Sequence, residues 1–198
     1  MDYNFRSSYN EPQVCFSRQN SFTPDELDRI YRNLSKVEYK DAKTLDTIDT
    51  DQIRRDIRSS RIKWVPQNQE WSWMYEKLMN LIEEANEKHW RFNIVNAPEM
   101  IQYTEYIDTD GGHYTWHQDI GSGRPSHRKI SVTVQLSDPD EYEGGDLEIW
   151  SGGSSIFKAE KQAGLAVIFP SYMMHRVTPV IKGCRRSFVL WVGGSHYS

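Results

Sequence analysis

The chain has 198 residues, 37% of them hydrophobic and 26% charged, with a formal net charge of -4 at pH 7. That balance suits one globular domain with one sizeable core, and it excludes a mostly disordered chain and a polyanion-binding surface driven by net charge. Two cysteines, at 15 and 184, are too few for a disulfide framework or a cysteine zinc cluster. No apolar run reaches the ~18 residues of a membrane span, and the start MDYNFRSSYN lacks a signal-peptide apolar core, so the expectation is a soluble, reduced, cytoplasmic protein that binds neither nucleic acid nor membrane.

Residues 1–22 are polar, with Val14, Cys15 and Phe16 as a first strand. Thr23 is suited to cap a helix, Pro24 to occupy its first position and Glu26 to close a capping box; Leu27, Ile30, Tyr31 and Leu34 then recur at helical spacing, which predicts a helix over 24–36. Between 37 and 68 the pattern weakens, until Ile62 and Trp64 alternate with charged neighbours in a strand that ends at Pro66. Trp71, Met74, Tyr75, Leu78, Leu81 and Ile82 form the apolar stripe of a second helix over about 70–88.

After Trp90 the pattern changes to short strands, over 91–95, 100–107, 113–119, 129–137, 146–150, 155–158, 165–170, 175–181 and 186–192. Turn signals separate them, among them DGG at 110–112, EGG at 143–145 and Lys182–Gly183. The predicted class is α+β and mainly β: a two-sheet sandwich or barrel, such as a jelly roll (double-stranded β-helix), over 91–198, supported by N-terminal helices within 1–90, in a single domain over 1–198.

The residues that carry chemistry are few. His117 and Asp119 form a His-x-Asp triplet, and in a strand two such side chains share a face. A neutral imidazole and a carboxylate so placed are two legs of the facial triad that holds non-haem Fe(II), and His175, at a strand mouth, is the candidate third leg. The triplet alone decides little: with 6 His and 14 Asp, chance supplies about 0.4 per chain. Arg185 follows ten residues after His175; a hairpin at Lys182–Gly183 would bring it beside the His175 strand, where its guanidinium, helped by Ser187, could grip a carboxylate in an otherwise apolar barrel. Cys184 reads as a buried, inert thiol, and His113, His127 and His196 as loop or tail residues.

Taken in order, His117-x-Asp119, Glu143-Gly144-Gly145-Asp146-Leu147, Ala163 to Pro170, His175 to Val180 and Gly183-x-Arg185-x-Ser187 resemble the Fe(II)/2-oxoglutarate dioxygenases, most of all the prolyl 4-hydroxylase branch with its bacterial and phage members. The resemblance covers about 100–193 well, 53–66 more loosely through Arg58, Ser60 and Trp64, and the first 50 residues hardly at all. It implies that His117, Asp119 and His175 are the catalytic metal ligands for Fe(II), and that Arg185 and Ser187 take the distal carboxylate of 2-oxoglutarate. Tyr106 and Gln135 correspond to further contacts with that cosubstrate, and Trp191 and Arg128 to the substrate side; an extended proline-containing segment would suit an aromatic-lined groove with Trp116 or Trp191.

The implied reaction consumes O2 and 2-oxoglutarate, releases succinate and CO2, and hydroxylates a substrate. The best-matching substrate is a prolyl residue of a peptide or protein, held between residues 37–66 and the loop 120–128. A hydroxylase of a free amino acid or other small molecule, and a non-catalytic metal-binding jelly-roll module, are the alternatives. A nucleic-acid demethylase is disfavoured because Trp191 stands where such relatives carry a second arginine, and a halogenase because Asp119 is present.

Overall fold

A computed structural model describes residues 13–41 and 54–195. Strand β1 is Phe16–Arg18 and helix α1 is Pro24–Leu34, with the capping box of Thr23 and Glu26 formed in both directions. Next come β2 (Lys40–Asp41), β3 (Arg58–Ser59), β4 (Arg61–Val65) and helix α2 (Ser72–Ala85). The remaining strands are β5 (Ile94–Asn96), β6 (Ile101–Ile107), β7 (His113–His117), β8 (Arg128–Gln135), β9 (Tyr142–Gly144), β10 (Leu147–Gly152), β11 (Ser155–Lys158), β12 (Ala166–Pro170), β13 (His175–Val177) and β14 (Val180–Gly194).

Among the described residues the strands form two antiparallel sheets. The larger has the order β1-β12-β8-β14-β6-β4-β2, with β5 and β9 added on β14; the smaller has the order β11-β10-β13-β7-β3. This two-sheet arrangement, with helices outside one sheet, is the mainly β jelly roll expected from the strand spacing. Among the described residues, no helix is long and apolar enough to cross a membrane.

Alternation along the central strands of the large sheet explains how a core and a site coexist. On β8, Ile130, Val132 and Val134 turn outward, and on β14 Phe188, Leu190 and Val192 do the same. They pack beneath Trp71, Met74, Leu78 and Ile82 of the α2 region in one buried cluster. The intervening residues, Thr133 on β8 and Arg185, Ser187 and Trp191 on β14, face the space between the sheets. A period of two therefore writes an apolar face for the helices and a largely polar face for the interior.

Several local expectations change. The second helix is α-helical only to Ala85, continues as a π-helix over Asn86–Trp90, and stops at Arg91, which adopts a left-handed φ of 55°. The strand expected over 91–95 starts only at Ile94, because Asn86 is bonded to both the N–H and the carbonyl of Phe92. The strand expected over 175–181 is broken, since Thr178 and Pro179 separate β13 from β14.

Lys182–Gly183 is not a hairpin. It lies inside β14, at the place where that strand stops pairing with β9 and begins pairing with β6. Arg185 consequently reaches the interior from the sheet opposite His175 rather than from a neighbouring strand. Gly183 has φ +80°, and a Cβ there would collide with the Glu141 carbonyl oxygen. Gly183→Ala is therefore expected to cost at least about 1–3 kcal/mol in urea unfolding, and to weaken any ligand held by Arg185 two residues on.

Candidate active site

The interior between the sheets holds a cavity of about 350 Å³. Asp119, His117 and His175 meet in its wall. Their candidate ligand atoms all lie within 4.8 Å of one another, with His117 Nε2 3.7 Å from Asp119 Oδ1 and His175 Nε2 3.5 Å from Asp119 Oδ2. His117 and His175 are directly opposed partners on β7 and β13. Asp119 is not in the strand, as its spacing from His117 suggested, but in the bend that follows, where its N–H donates to the Ser171 carbonyl at 2.9 Å.

Each imidazole is aimed by a backbone carbonyl two residues earlier. His117 Nδ1 lies 2.8 Å from Thr115 O, and His175 Nδ1 lies 2.9 Å from Met173 O. A carbonyl can only accept, so both Nδ1 atoms carry the proton and both Nε2 lone pairs turn toward the shared space. Burial, followed by the neighbouring His175, pushes His117 down to about 3, so it is neutral at ordinary pH. Burial would raise the Asp119 carboxyl, but the Arg128 guanidinium and the Ser131 hydroxyl oppose it and hold it below the usual carboxylate range. Two imidazole nitrogens and one carboxylate oxygen with open space beside them are the donor set of a ferrous facial triad.

Deeper in the same cavity lies Arg185, only 1% exposed. Its Nη2 donates to Gln135 Oε1 at 2.8 Å, its Nη1 to Ser187 Oγ at 3.2 Å, and its Nε has no partner. The guanidinium also lies 5.5 Å from the centre of the Tyr106 ring. Among the described residues no carboxylate pairs with it. A buried cation held only by neutral groups is costly, and the missing counter-charge is the size of one carboxylate. A dicarboxylate that also reaches the triad therefore fits this cavity. The structure brings together Tyr106, Gln135, Arg185 and Ser187 at that deep end, from β6, β8 and β14.

The mouth is aromatic and cationic. Trp191 stands under the Arg128 guanidinium at 3.9 Å and beside Trp64 at 6.5 Å. Arg128 is not a solvated loop side chain: it is 7% exposed, grips Glu99 through Nε at 2.7 Å and Nη2 at 2.6 Å, and donates from Nη1 to the Asp119 carbonyl at 3.0 Å.

Trp116 does not join this group. Neighbouring strand residues face opposite ways, and with His117 turned inward Trp116 lies on the outer side, 4.8 Å from the Arg176 guanidinium, which bonds Glu148. A register shift in the pairing of β7 with β13 lets Tyr114, an odd number of residues from His117, face inward as well, with its ring stacked on the His117 ring at 3.4 Å.

Residues that spacing alone does not single out as functional include Tyr114, Glu99, Gln102, Ser131 and Ser171. Arg58, part of the looser match, is buried at 7% exposure and donates to Ser60 Oγ and Gln102 Oε1. The signal that could have found Glu99 was the need of a buried Arg128 for a carboxylate. His113 bonds the Gly111 carbonyl and does not line the cavity, the Cys184 thiol is pushed up to about 11 by burial, and His196 lies outside the described residues.

A family model described as the 2OG-Fe(II) oxygenase superfamily matches residues 101–193, from the start of β6 to the last residue but one of β14. These residues form a 2OG-Fe(II) oxygenase superfamily domain. The segment contains the triad, Arg185 and the whole deep end of the cavity. A PKHD-type hydroxylase of Synechococcus sp. (strain CC9605) is 42% identical over 82 residues, covering 41% of this chain and 37% of that protein. A PKHD-type hydroxylase of Rippkaea orientalis is 28% identical over 175 residues, covering 86% of this chain and 74% of that protein. The alignments thus span 37% and 39% of the length of the Synechococcus relative and of one from Acidovorax ebreus. Among solved structures, a Trichoplax adhaerens prolyl hydroxylase bound to a hypoxia inducible factor peptide fragment superposes with a TM-score of 0.73 at 15% identity, over 91% of this chain and 84% of that one. A Pseudomonas putida prolyl-4-hydroxylase gives 0.67 at 20% identity over 91% and 92%. These two share the fold of the oxygenase domain.

The Arg128–Glu99 pair offers a direct check of how the domain is held. Removing one member leaves the other as an uncompensated buried charge, so Glu99→Ala is expected to cost about 3–5 kcal/mol. Replacing both residues by apolar ones of similar volume should recover most of that in urea unfolding.

Proposed function

We propose that this protein is an Fe(II)- and 2-oxoglutarate-dependent hydroxylase, acting as one unit over its length, whose substrate is a prolyl residue of a peptide or protein. The observation that carries the reading is the pairing of two features in one cavity: a two-imidazole, one-carboxylate donor set, and a fully buried Arg185 without a carboxylate partner among the described residues. The first suits a ferrous ion with open positions, and the second suits the far end of 2-oxoglutarate.

Bound Fe(II) and 2-oxoglutarate would supply the oxidising chemistry, in which O2 is consumed, the 2-oxo acid becomes succinate and CO2, and the substrate gains a hydroxyl. The residues of the chain have other tasks. His117, Asp119 and His175 hold the ion, the first and last with their protons committed to backbone carbonyls. Arg185, backed by Gln135 and Ser187, fixes the cosubstrate's distal carboxylate and so sets which way its reactive end points. Leu147, Val177 and Val189 line the same space and keep it dry. Trp191, Trp64 and Arg128 form the rim against which a substrate would lie.

The prolyl assignment draws on two supports. The Trichoplax adhaerens and Pseudomonas putida structures that superpose on this chain are prolyl hydroxylases, one of them with a bound peptide. The rim is aromatic, and an extended proline-containing segment packs well on aromatic walls.

The test is turnover by the purified protein with Fe(II), 2-oxoglutarate and O2, following succinate and, by mass spectrometry, the gain of one oxygen on proline-containing peptides. Asp119→Ala should abolish succinate formation, and Arg185→Ala should raise the KM for 2-oxoglutarate by about 10- to 100-fold. Succinate without peptide oxidation across a broad proline peptide set, but with oxidation of a free amino acid, would replace the prolyl reading with the small-molecule one. A protein that holds zinc and never turns over 2-oxoglutarate would be a binding module.

A further inference from the structure

Asp119 is held from behind by two serines that neither the metal site nor the cosubstrate site uses. Ser131 Oγ donates to Asp119 Oδ2 at 2.7 Å. Ser131 has one hydroxyl proton, so its 2.9 Å contact with Ser171 Oγ is accepted from Ser171. Both serines are 0% exposed. The backbone fixes the second one: Ser171 O accepts from Asp119 N, and Ser171 N donates to Lys129 O, each at 2.9 Å.

The same turn then leads to the third ligand. Met173 N donates to Pro170 O at 2.9 Å, and Met173 O accepts from His175 Nδ1 at 2.9 Å. A continuous chain of bonds therefore links the Asp119 carboxylate to the His175 imidazole through Ser131, Ser171 and the turn after β12. Asp119 Oδ1 stands apart from this chain. Its nearest charged or polar neighbour among the ion-pair contacts is His117 Nε2 at 3.7 Å, and no hydroxyl donates to it among the described residues.

We propose that the Ser131–Ser171 hydroxyl pair is a positioning device that reserves Asp119 for ligation through a single oxygen and ties that carboxylate to the turn carrying His175. A free aspartate can present either oxygen or both to a cation. The hydroxyl donated to Oδ2, which also lies 3.5 Å from His175 Nε2, weakens that oxygen as a ligand and disfavours the two-oxygen mode, and that matters here because a second carboxylate oxygen would occupy one of the three positions that a facial triad leaves open. The device also fixes the carboxylate's rotamer before the ion arrives, which raises affinity by lowering the ordering cost of binding.

The inference rests on the metal-site reading, and Mn(II) binding separates the two. Mn(II) is a redox-stable divalent probe whose free ion can be counted by electron paramagnetic resonance without any turnover. The parent protein should bind one Mn(II) in competition with Fe(II); failure of the parent to bind either ion removes the metal-site reading itself, and this inference with it. With the parent binding, Ser131→Ala should raise the Mn(II) Kd by about 10-fold or more, and weaken 2-oxoglutarate binding to the Mn(II) form. Ser131→Thr, which keeps the hydroxyl on a strand-compatible residue, should restore both. Ser171→Ala, which removes only the outer donor, should show a smaller loss in the same direction. Parental Mn(II) affinity in a folded Ser131→Ala protein overturns the proposal. So does equal loss in folded Ser131→Ala and Ser131→Thr proteins, because the hydroxyl is then not the cause. Should Ser131→Ala fail to fold, parental affinity in Ser171→Ala overturns it in the same way.

Discussion

An ionised carboxylate buried between two imidazoles is the constraint around which this molecule is organised. Asp119 is 6% exposed, and burial by itself would neutralise it. It stays charged because donors are built in around it: the Ser131 hydroxyl on one oxygen and the Arg128 guanidinium on its own carbonyl. Each donor must itself be held. Arg128 needs Glu99, Ser131 needs Ser171, and the histidines need the carbonyls of Thr115 and Met173. The polarity of the interior follows from that requirement.

The two sheets supply the rigidity this needs. β7 and β13 bring the histidines of the small sheet together, while β6, β8 and β14 of the large sheet present Tyr106, Gln135, Arg185 and Ser187 from the other side. The helices do no chemistry. They cover the outer, apolar face of the large sheet, which is what allows its inner face to be polar without exposing backbone to water. A carboxylate among imidazoles and a guanidinium that no carboxylate pairs with among the described residues thus line one cavity, suited to a cation and to a dicarboxylate.

The rim is organised differently from the deep end. Trp191, Arg128 and Glu99 form a stacked and ion-paired unit that also reaches the metal-side loop through the Asp119 carbonyl. Whatever lies against Trp191 is therefore one guanidinium away from a ligand of the proposed ion.

Much of this was legible in the order of residues. The capping box at Thr23–Glu26, the stripe of the second helix and the alternation of Ile62 and Trp64 are local signals, and they survive in the fold because tertiary contacts reinforce them. His117, Asp119, His175, Arg185 and Ser187 could be singled out because their residue types and order are rare together. Where spacing was converted into geometry, it failed: Arg185 arrives from the opposite sheet rather than by a hairpin, Trp116 faces outward, and Tyr114 faces inward through a register shift.

The sequence alone determined which side chains are candidates for the chemistry and that short strands would hold them, since composition and periodicity are properties of neighbours along the chain. Only the tertiary structure decided which sheet each side chain enters from, that Glu99 matches Arg128, and that Ser131 and Ser171 stand behind Asp119. Those pairings join residues 29, 12 and 40 positions apart, and they are set by strand register and by the need of buried charges for partners, neither of which local spacing can express.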